Sequence, residues 1–104
     1  MDNEKYTVII SEKTEEMLVS HAAFLAKVSQ EAAYKLVEDF QQTAESLQQF
    51  PGRCPWFSGV NIPKHQYRYI IFGKRYMLIY QIIDHTVYVD ACIDCRQDYG
   101  WLLK

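Results

Sequence analysis

Alternating apolar and polar positions between residues 67 and 95 predict three consecutive β-strands. We expect the strands at residues 67–72, 75–83 and 86–95, which are rich in β-branched and aromatic side chains. Gly73-Lys74 and Asp84-His85 separate these segments and are typical of tight hairpin turns. The pattern therefore predicts a three-stranded antiparallel meander.

A two-residue turn at Asp84-His85 would pair Ile83 with Thr86 and fix the register beyond them. The predicted apolar face, which helices would cover, contains Tyr76, Leu78, Tyr80, Ile82, Val87, Val89, Ala91 and Ile93. The opposite face is more polar and contains Met77, Ile79, Gln81, Tyr88, Asp90, Cys92 and Asp94. By continuation of the last strand, Arg96 falls on the polar side.

Helical spacing dominates the first half of the chain, after a short apolar strand at residues 6–10. Ser11 can cap a first helix at residues 12–28, with an apolar stripe of Leu18, His21, Ala22, Leu25 and Val28. Ser29 can cap a second helix that ends near Gln49, with a stripe of Ala33, Leu36, Val37, Phe40, Ala44 and Leu47. The two helices have almost no linker, so they should form an antiparallel hairpin.

Residues 51–66 contain all three prolines and two of the four glycines, so we expect an irregular segment. Residues 1–104 are long enough for one hydrophobic core and too short for two. The sequence therefore predicts a single α+β domain, in which a strand and a helical hairpin precede the meander and the helices cover one of its faces.

Charge is distributed unevenly along the chain, whose formal net charge is −2. Residues 1–50 hold nine acids and four bases, a net charge of −5, and residues 51–104 hold seven bases and four acids, a net charge of +3. The total argues against strong nonspecific binding to nucleic acid. A cluster of bases on the first meander hairpin is nevertheless a candidate surface: Lys64, Arg68, Lys74 and Arg75.

Three cysteines, an odd number, favour a reducing compartment over a disulfide framework. Cys92 and Cys95 have metal-ligand spacing, but positions three apart on a strand point to opposite faces. We expect buried thiols, no metal and no cofactor. No apolar run has the roughly 20 residues of a membrane helix, and the N-terminus lacks the plan of a signal peptide, so a cytoplasmic protein without membrane contact is expected.

The order of strand, two helices and meander resembles the RelE/ParE superfamily, the toxins of bacterial type II toxin–antitoxin systems. The strand YMLIYQI, the following TVYVDACID and an arginine closing the last strand, Arg96, carry this resemblance. The resemblance implies a toxin neutralised by a cognate antitoxin protein. RelE-like members cut mRNA on the ribosome without a metal, whereas ParE-like members inhibit DNA gyrase without cutting nucleic acid.

The resemblance to RelE-like ribonucleases names catalytic candidates. Arg96 matches the closing arginine, Arg68 approximates a basic residue of the first meander strand, and Tyr99 stands for a tail tyrosine that the ribonuclease pattern places near Leu102. Met77 replaces an arginine of that pattern. Lys64, Lys74 and Arg75 are candidates for binding RNA or a partner.

Several functions therefore remain open for the chain. They are a metal-free, ribosome-dependent mRNA endoribonuclease, a non-catalytic inhibitor of gyrase, and a protein-interaction module without toxicity. A second copy of the chain is a further possible partner. The candidate residues also have plain structural roles: Arg96 could pair locally with Asp94, and Tyr99 and Trp101 could dock the tail onto the core.

Overall fold

The structure, a computed structural model, describes residues 5–96. Its elements in chain order are β1 (Thr7–Ile10), α1 (Glu12–Ala26), α2 (Gln30–Ser46), β2 (Trp56–Phe57), β3 (Tyr67–Phe72), β4 (Tyr76–Ile83) and β5 (Thr86–Asp94). The strands form one sheet in the order β1-β5-β4-β3-β2. The predicted α+β fold with its antiparallel meander is confirmed, and the sheet has five strands.

Both edges of the meander are occupied by further strands. β1 pairs with β5 in parallel, and β2, inside the segment predicted to be irregular, pairs antiparallel with β3. The outward edges of β1 and β2 are therefore the sheet's two ends among residues 5–96. Neither helix in this range is long and apolar enough to cross a membrane.

Serine caps begin both helices, as predicted. The Ser11 hydroxyl oxygen accepts a hydrogen bond from the Thr14 backbone N–H at 3.0 Å, and the Thr14 hydroxyl donates to the Val89 carbonyl oxygen at 3.0 Å. The first helix is thereby fixed to β5 at its first turn. Helix α1 ends at Ala26, two residues earlier than predicted, and Val28 is 87% exposed. Its predicted place on the apolar stripe is wrong because the chain turns there toward the cap of α2.

The register of β4 and β5 matches the prediction only near their turn. Ile83 pairs with Thr86 and Tyr80 with Val89, but Ile79 then pairs with Ala91, which leaves Asp90 without a partner in the ladder. One extra residue in one strand is a β-bulge, and it reverses which face later side chains occupy. The predicted pairing beyond Val89 is therefore wrong by one residue.

Hydrophobic clusters lie on both faces of the sheet. The helix-covered cluster includes Leu36, Phe40, Leu78, Tyr80, Val87, Val89 and Cys92. The opposite face carries a smaller cluster built from Phe57, Met77, Ile79 and Ile93, each at most 6% exposed. Ala91 and Ile93 were predicted on the helix side and Cys92 on the polar side. The bulge at Asp90 exchanges these positions, and the face predicted to be polar is largely apolar.

Candidate functional site

Five residues gather where β5 ends, and we name this group the β5 corner: His21, Arg75, Tyr76, Asp94 and Arg96. The Asp94 side chain lies across from Tyr76 in the ladder and is only 2% exposed. Arg75 reaches its carboxylate from the β3–β4 turn with two hydrogen bonds, from Nη2 to Oδ2 at 2.5 Å and from Nε to Oδ1 at 3.3 Å. Because two donors meet two acceptors, this is the strong form of an ion pair.

Asp94 also accepts a hydrogen bond from the backbone N–H of Arg96, at 2.9 Å to Oδ1. Burial raises the pKa of Asp94, but the hydrogen bonds from Arg75 and from the Arg96 backbone lower it more, so the net pKa is below the ordinary value. The hydrogen bond to Asp94 likewise raises the pKa of Arg75. One buried carboxylate thus ties the β3–β4 turn to the residues that follow β5.

His21 joins helix α1 to the same corner. Its Nε2 lies 3.0 Å from the carbonyl oxygen of Cys92, and because a carbonyl can only accept, Nε2 carries the proton and donates. The His21 and Tyr76 rings are 5.7 Å apart between centroids. Burial raises the pKa of the Tyr76 phenol, which keeps it neutral. His21 is therefore a hydrogen-bonded boundary residue, as its place on the apolar stripe predicted.

A second group, which we name the edge cluster, lies at the β2–β3 end of the sheet and contains Cys54, Trp56, His65 and Arg68. Trp56 pairs with Arg68 across the two strands, and the guanidinium carbon of Arg68 lies 3.7 Å from the centroid of the Trp56 ring. Arg68 Nη1 donates to the Cys54 carbonyl oxygen at 2.6 Å. The His65 ring lies 5.2 Å from that of Trp56. Arg68 is therefore held flat against an aromatic ring.

The two predicted catalytic arginines do not converge. Arg68 lies level with Tyr80 of β4, whereas Asp94, two residues before Arg96, lies level with Tyr76. Four residues along a strand separate these levels by about 13 Å. Arg96 is exposed and follows the end of β5. Tyr99, the third predicted catalytic residue, lies outside the described residues, as does Trp101.

The predicted basic hairpin is also divided by β3. Lys64 is exposed in the loop before this strand, and Lys74 is exposed in the turn after it. Since β3 has six residues, about 20 Å of extended chain separates its ends. The predicted basic surface is therefore divided between the two ends of β3: Lys64 lies on the side where Arg68 enters the strand, and Lys74 lies beside the ion-paired Arg75.

The cysteines and acids of residues 5–96 form no group of three that could hold a metal ion. Cys92 is fully buried in the helix-side cluster, and Cys95 packs against the opposite cluster. The two thiols lie on different faces of the sheet, as their spacing indicated.

Comparison with protein families gives a match over nearly the whole chain. A family model described as "ParE toxin of type II toxin-antitoxin system, parDE" matches residues 8–99. The chain belongs to the ParE toxin family. A solved structure titled "Chromosomal ParDE TA system from P. aeruginosa" superposes with a TM-score of 0.68 at 13% sequence identity and covers 88% of this chain and 98% of that one. A search of curated proteins gives no match.

Membership of the ParE toxin family confirms the predicted superfamily and the predicted role as the toxin half of a type II system. Within that superfamily the match falls on the ParE branch. Since the solved ParDE structure is only 13% identical, it establishes a shared fold and nothing finer.

Sequence reasoning missed two features of these sites. Asp94 was assigned to a polar surface, although it is the buried anchor of the β5 corner; the bulge that places it there has no marker in the sequence. Trp56 lies in the segment that was expected to be irregular. Its nearness to Arg68 depends on the pairing of β2 with β3, and a two-residue strand is too short to show a periodic pattern.

Proposed function

We propose that this ParE-family chain is the toxin of a type II toxin–antitoxin module and that it inhibits DNA gyrase by binding, without cutting RNA. The support is the family match together with the separation of Arg68 from Arg96. Metal-free RNA cleavage needs groups that converge on one phosphate, to orient the attacking hydroxyl, stabilise charge and protonate the leaving oxygen. The separation argues against such a convergent site.

Met77 supports the same proposal. This residue stands where RelE-like ribonucleases carry an arginine, and its side chain is 3% exposed within the cluster opposite the helices. A buried thioether can neither donate a hydrogen bond nor balance charge on a phosphate. Arg75, the basic residue immediately before β4, is committed to Asp94. A ribosome-dependent mRNA endoribonuclease is therefore the less favoured function.

Induced expression in bacteria would test the proposal. We expect growth to stop, with incorporation of labelled thymidine falling before incorporation of labelled methionine, because replication fails first. Purified toxin should also block the supercoiling of relaxed plasmid by gyrase. Translation that stops first, with mRNA cut on ribosomes, would instead identify the ribonuclease. Normal growth of cells that contain the folded protein would instead indicate a protein-interaction module without toxicity.

The cognate antitoxin, in this proposal, docks beside β1. A groove of ≈ 580 Å³ runs between this strand and the two helices and is lined by Val8, Ile10, Glu15, Leu18, Phe40, Gln41, Ala44, Glu45 and Gln48. The outer edge of β1 can add a strand by main-chain hydrogen bonding. The apolar floor and the two glutamates favour an antitoxin segment with apolar and basic side chains.

Charge reversal at the groove would test this docking site. Glu45→Lys should weaken antitoxin binding by roughly tenfold, because it repels a basic segment. Glu38→Lys, an exposed position on α2 that does not line the groove, is the matched control and should have little effect. Hydrogen exchange at the amides of β1 should slow in the complex. Equal affinities for both variants, with unchanged β1 exchange, would place the antitoxin elsewhere.

Gyrase and an antitoxin are both cytoplasmic, so the proposal places the protein in the cytoplasm. A second copy of the chain remains a possible partner, which light scattering of the purified toxin would detect.

A further inference from the structure

The β2–β3 end of the sheet lies within the one long stretch of the chain that contains no acid. Residues 46–83 include no Asp or Glu, but they contain Arg53, Lys64, Arg68, Lys74 and Arg75. The formal net charge of −2 conceals this local excess. Of these cations, Arg68 lies in the edge cluster and Lys64 in the loop before β3, and the same stretch places no carboxylate beside them.

Glu45 and Asp84 border this stretch, and Asp84 is exposed in the turn between β4 and β5. Asp90 is held by Gln81, whose side-chain nitrogen donates to its carboxylate at 2.8 Å. Gln81 follows Tyr80 along β4 and so points to the face opposite Arg68, which pairs with Tyr80. Glu45 lines the surface around Lys5 and Arg53, at the C-terminal end of α2. The contacts of the edge cluster within residues 5–96 thus include neither Asp90 nor Glu45.

Flat side chains of the edge cluster lie against one another at the surface. Trp56 keeps 41% of its surface exposed while the Arg68 guanidinium lies over its ring. His65 is exposed and completes the group from the adjoining loop, with a positive φ of 60° that is unfavourable for a residue with a β-carbon. The Arg68 side chain is anchored by a hydrogen bond from Nη1 to the Cys54 carbonyl oxygen.

We propose that the edge cluster is a binding site for single-stranded nucleic acid. Unpaired bases stack on aromatic rings and on guanidinium planes, and nearby lysines and arginines hold the phosphates. Trp56, His65 and Arg68 supply the stacking surface, and Lys64, three residues before the start of β3, supplies a further charge for the backbone. The site lies apart from the β5 corner, and it does not require gyrase to be the toxin's target.

Nucleic acid fits this surface better than an acidic peptide does. A carboxylate-rich segment would use the charges but would leave the indole and imidazole rings without a planar partner. A nucleotide satisfies both, because it carries a ring and a phosphate on one unit. A surface that offers both stacked rings and cations therefore favours nucleic acid over an acidic peptide.

Fluorescence anisotropy with a short labelled oligodeoxythymidylate and the purified full-length toxin would test the site. Arg68→Ala and Trp56→Ala should each weaken binding by roughly tenfold, since each removes part of the stacking surface. Lys64→Ala should reduce the slope of log affinity against log salt by about 0.7, the value for one phosphate contact on a single strand. Lys27→Ala, which removes one charge from the helical hairpin, is the matched control and should change affinity less than twofold.

Two conservative variants distinguish the loss of a binding group from the loss of the folded structure. Trp56→Phe retains an aromatic ring and should keep most of the affinity, whereas Arg68→Lys retains the charge without the plane and should lose most of it. Wild-type affinity in Arg68→Lys, or an equal loss in Lys27→Ala, would overturn the proposal. The proposal would also be overturned if polyglutamate displaced the labelled oligonucleotide as effectively, per charge, as unlabelled oligonucleotide does. Binding without toxicity would refute only the gyrase proposal, and toxicity without binding would refute only this one.

Discussion

Arg75 in the β5 corner and Arg68 in the edge cluster show two environments for the same side chain. Arg75 meets a carboxylate that is 2% exposed, and its own side chain is 22% exposed. Arg68 meets an aromatic ring that is 41% exposed and a backbone carbonyl. A paired charge inside the protein stabilises a particular arrangement of the chain, whereas a cation over an exposed ring stays at the surface, where a ligand can reach it.

Loss of these two arginine contacts should therefore change the free energy of unfolding by different amounts. Removing one member of a buried pair leaves the other charge without compensation, which costs far more than losing an exposed contact. A cation–π contact at an exposed site contributes only about 0.5–1 kcal/mol. The β5 corner should therefore be important for folding stability and the edge cluster for binding.

The largest predicted effect is at Asp94. Asp94→Asn should lower the free energy of unfolding by about 3 kcal/mol, because it leaves the Arg75 guanidinium without its anion. Urea denaturation would measure the loss. Asp90→Asn on the same strand is the control and should cost under about 0.5 kcal/mol, since Gln81 can still donate to the amide oxygen. Similar losses at the two positions would show that the ion pair contributes little.

The stability that Asp94 contributes should depend on pH. The pKa of Asp94 is lower in the folded protein than in the unfolded chain, where it is about 3.9. Its contribution is therefore complete above that value and is lost as pH falls through the lower, folded pKa. The difference in unfolding free energy between the protein and Asp94→Asn should be constant from pH 5 upward (about one unit above the unfolded pKa) and should narrow in more acid solution. A constant difference throughout would contradict this assignment.

Loss of the two arginines should reduce folding stability to different extents, and the smaller loss is predicted at Arg68. Arg75→Met should destabilise the protein by about 3 kcal/mol, since it leaves a buried carboxylate unpaired. Arg68→Met should cost about 2 kcal/mol, the sum expected from a partly exposed cation–π contact and one hydrogen bond to a carbonyl. Thermal unfolding of both variants in one buffer would compare them. If Arg68→Met proves the more damaging change, the edge cluster is part of the folding core.

The elements of this protein could be predicted from local sequence signals. Ser11 and Ser29 are caps, the apolar stripes identify both helices, and β3 was predicted with its observed bounds. These signals suffice because capping and periodicity act within a few residues. The order of the elements, the strand YMLIYQI with the following TVYVDACID, and Arg96 together carried the resemblance to the superfamily. Among the residues of the two groups, Arg68, Arg75 and Arg96 were named as candidates, but the groups themselves were not predicted.

Tertiary structure decided how those residues are grouped. The bulge at Asp90 reversed the faces of β5 and buried Asp94, and the pairing of β2 with β3 brought Trp56 to Arg68. Both depend on contacts between segments distant along the chain, and a one-residue shift in register carries no local signal. The sequence by itself determined the helices, the meander and the superfamily. Only the tertiary structure decided which arginine is tied to a buried carboxylate and which lies over an exposed ring.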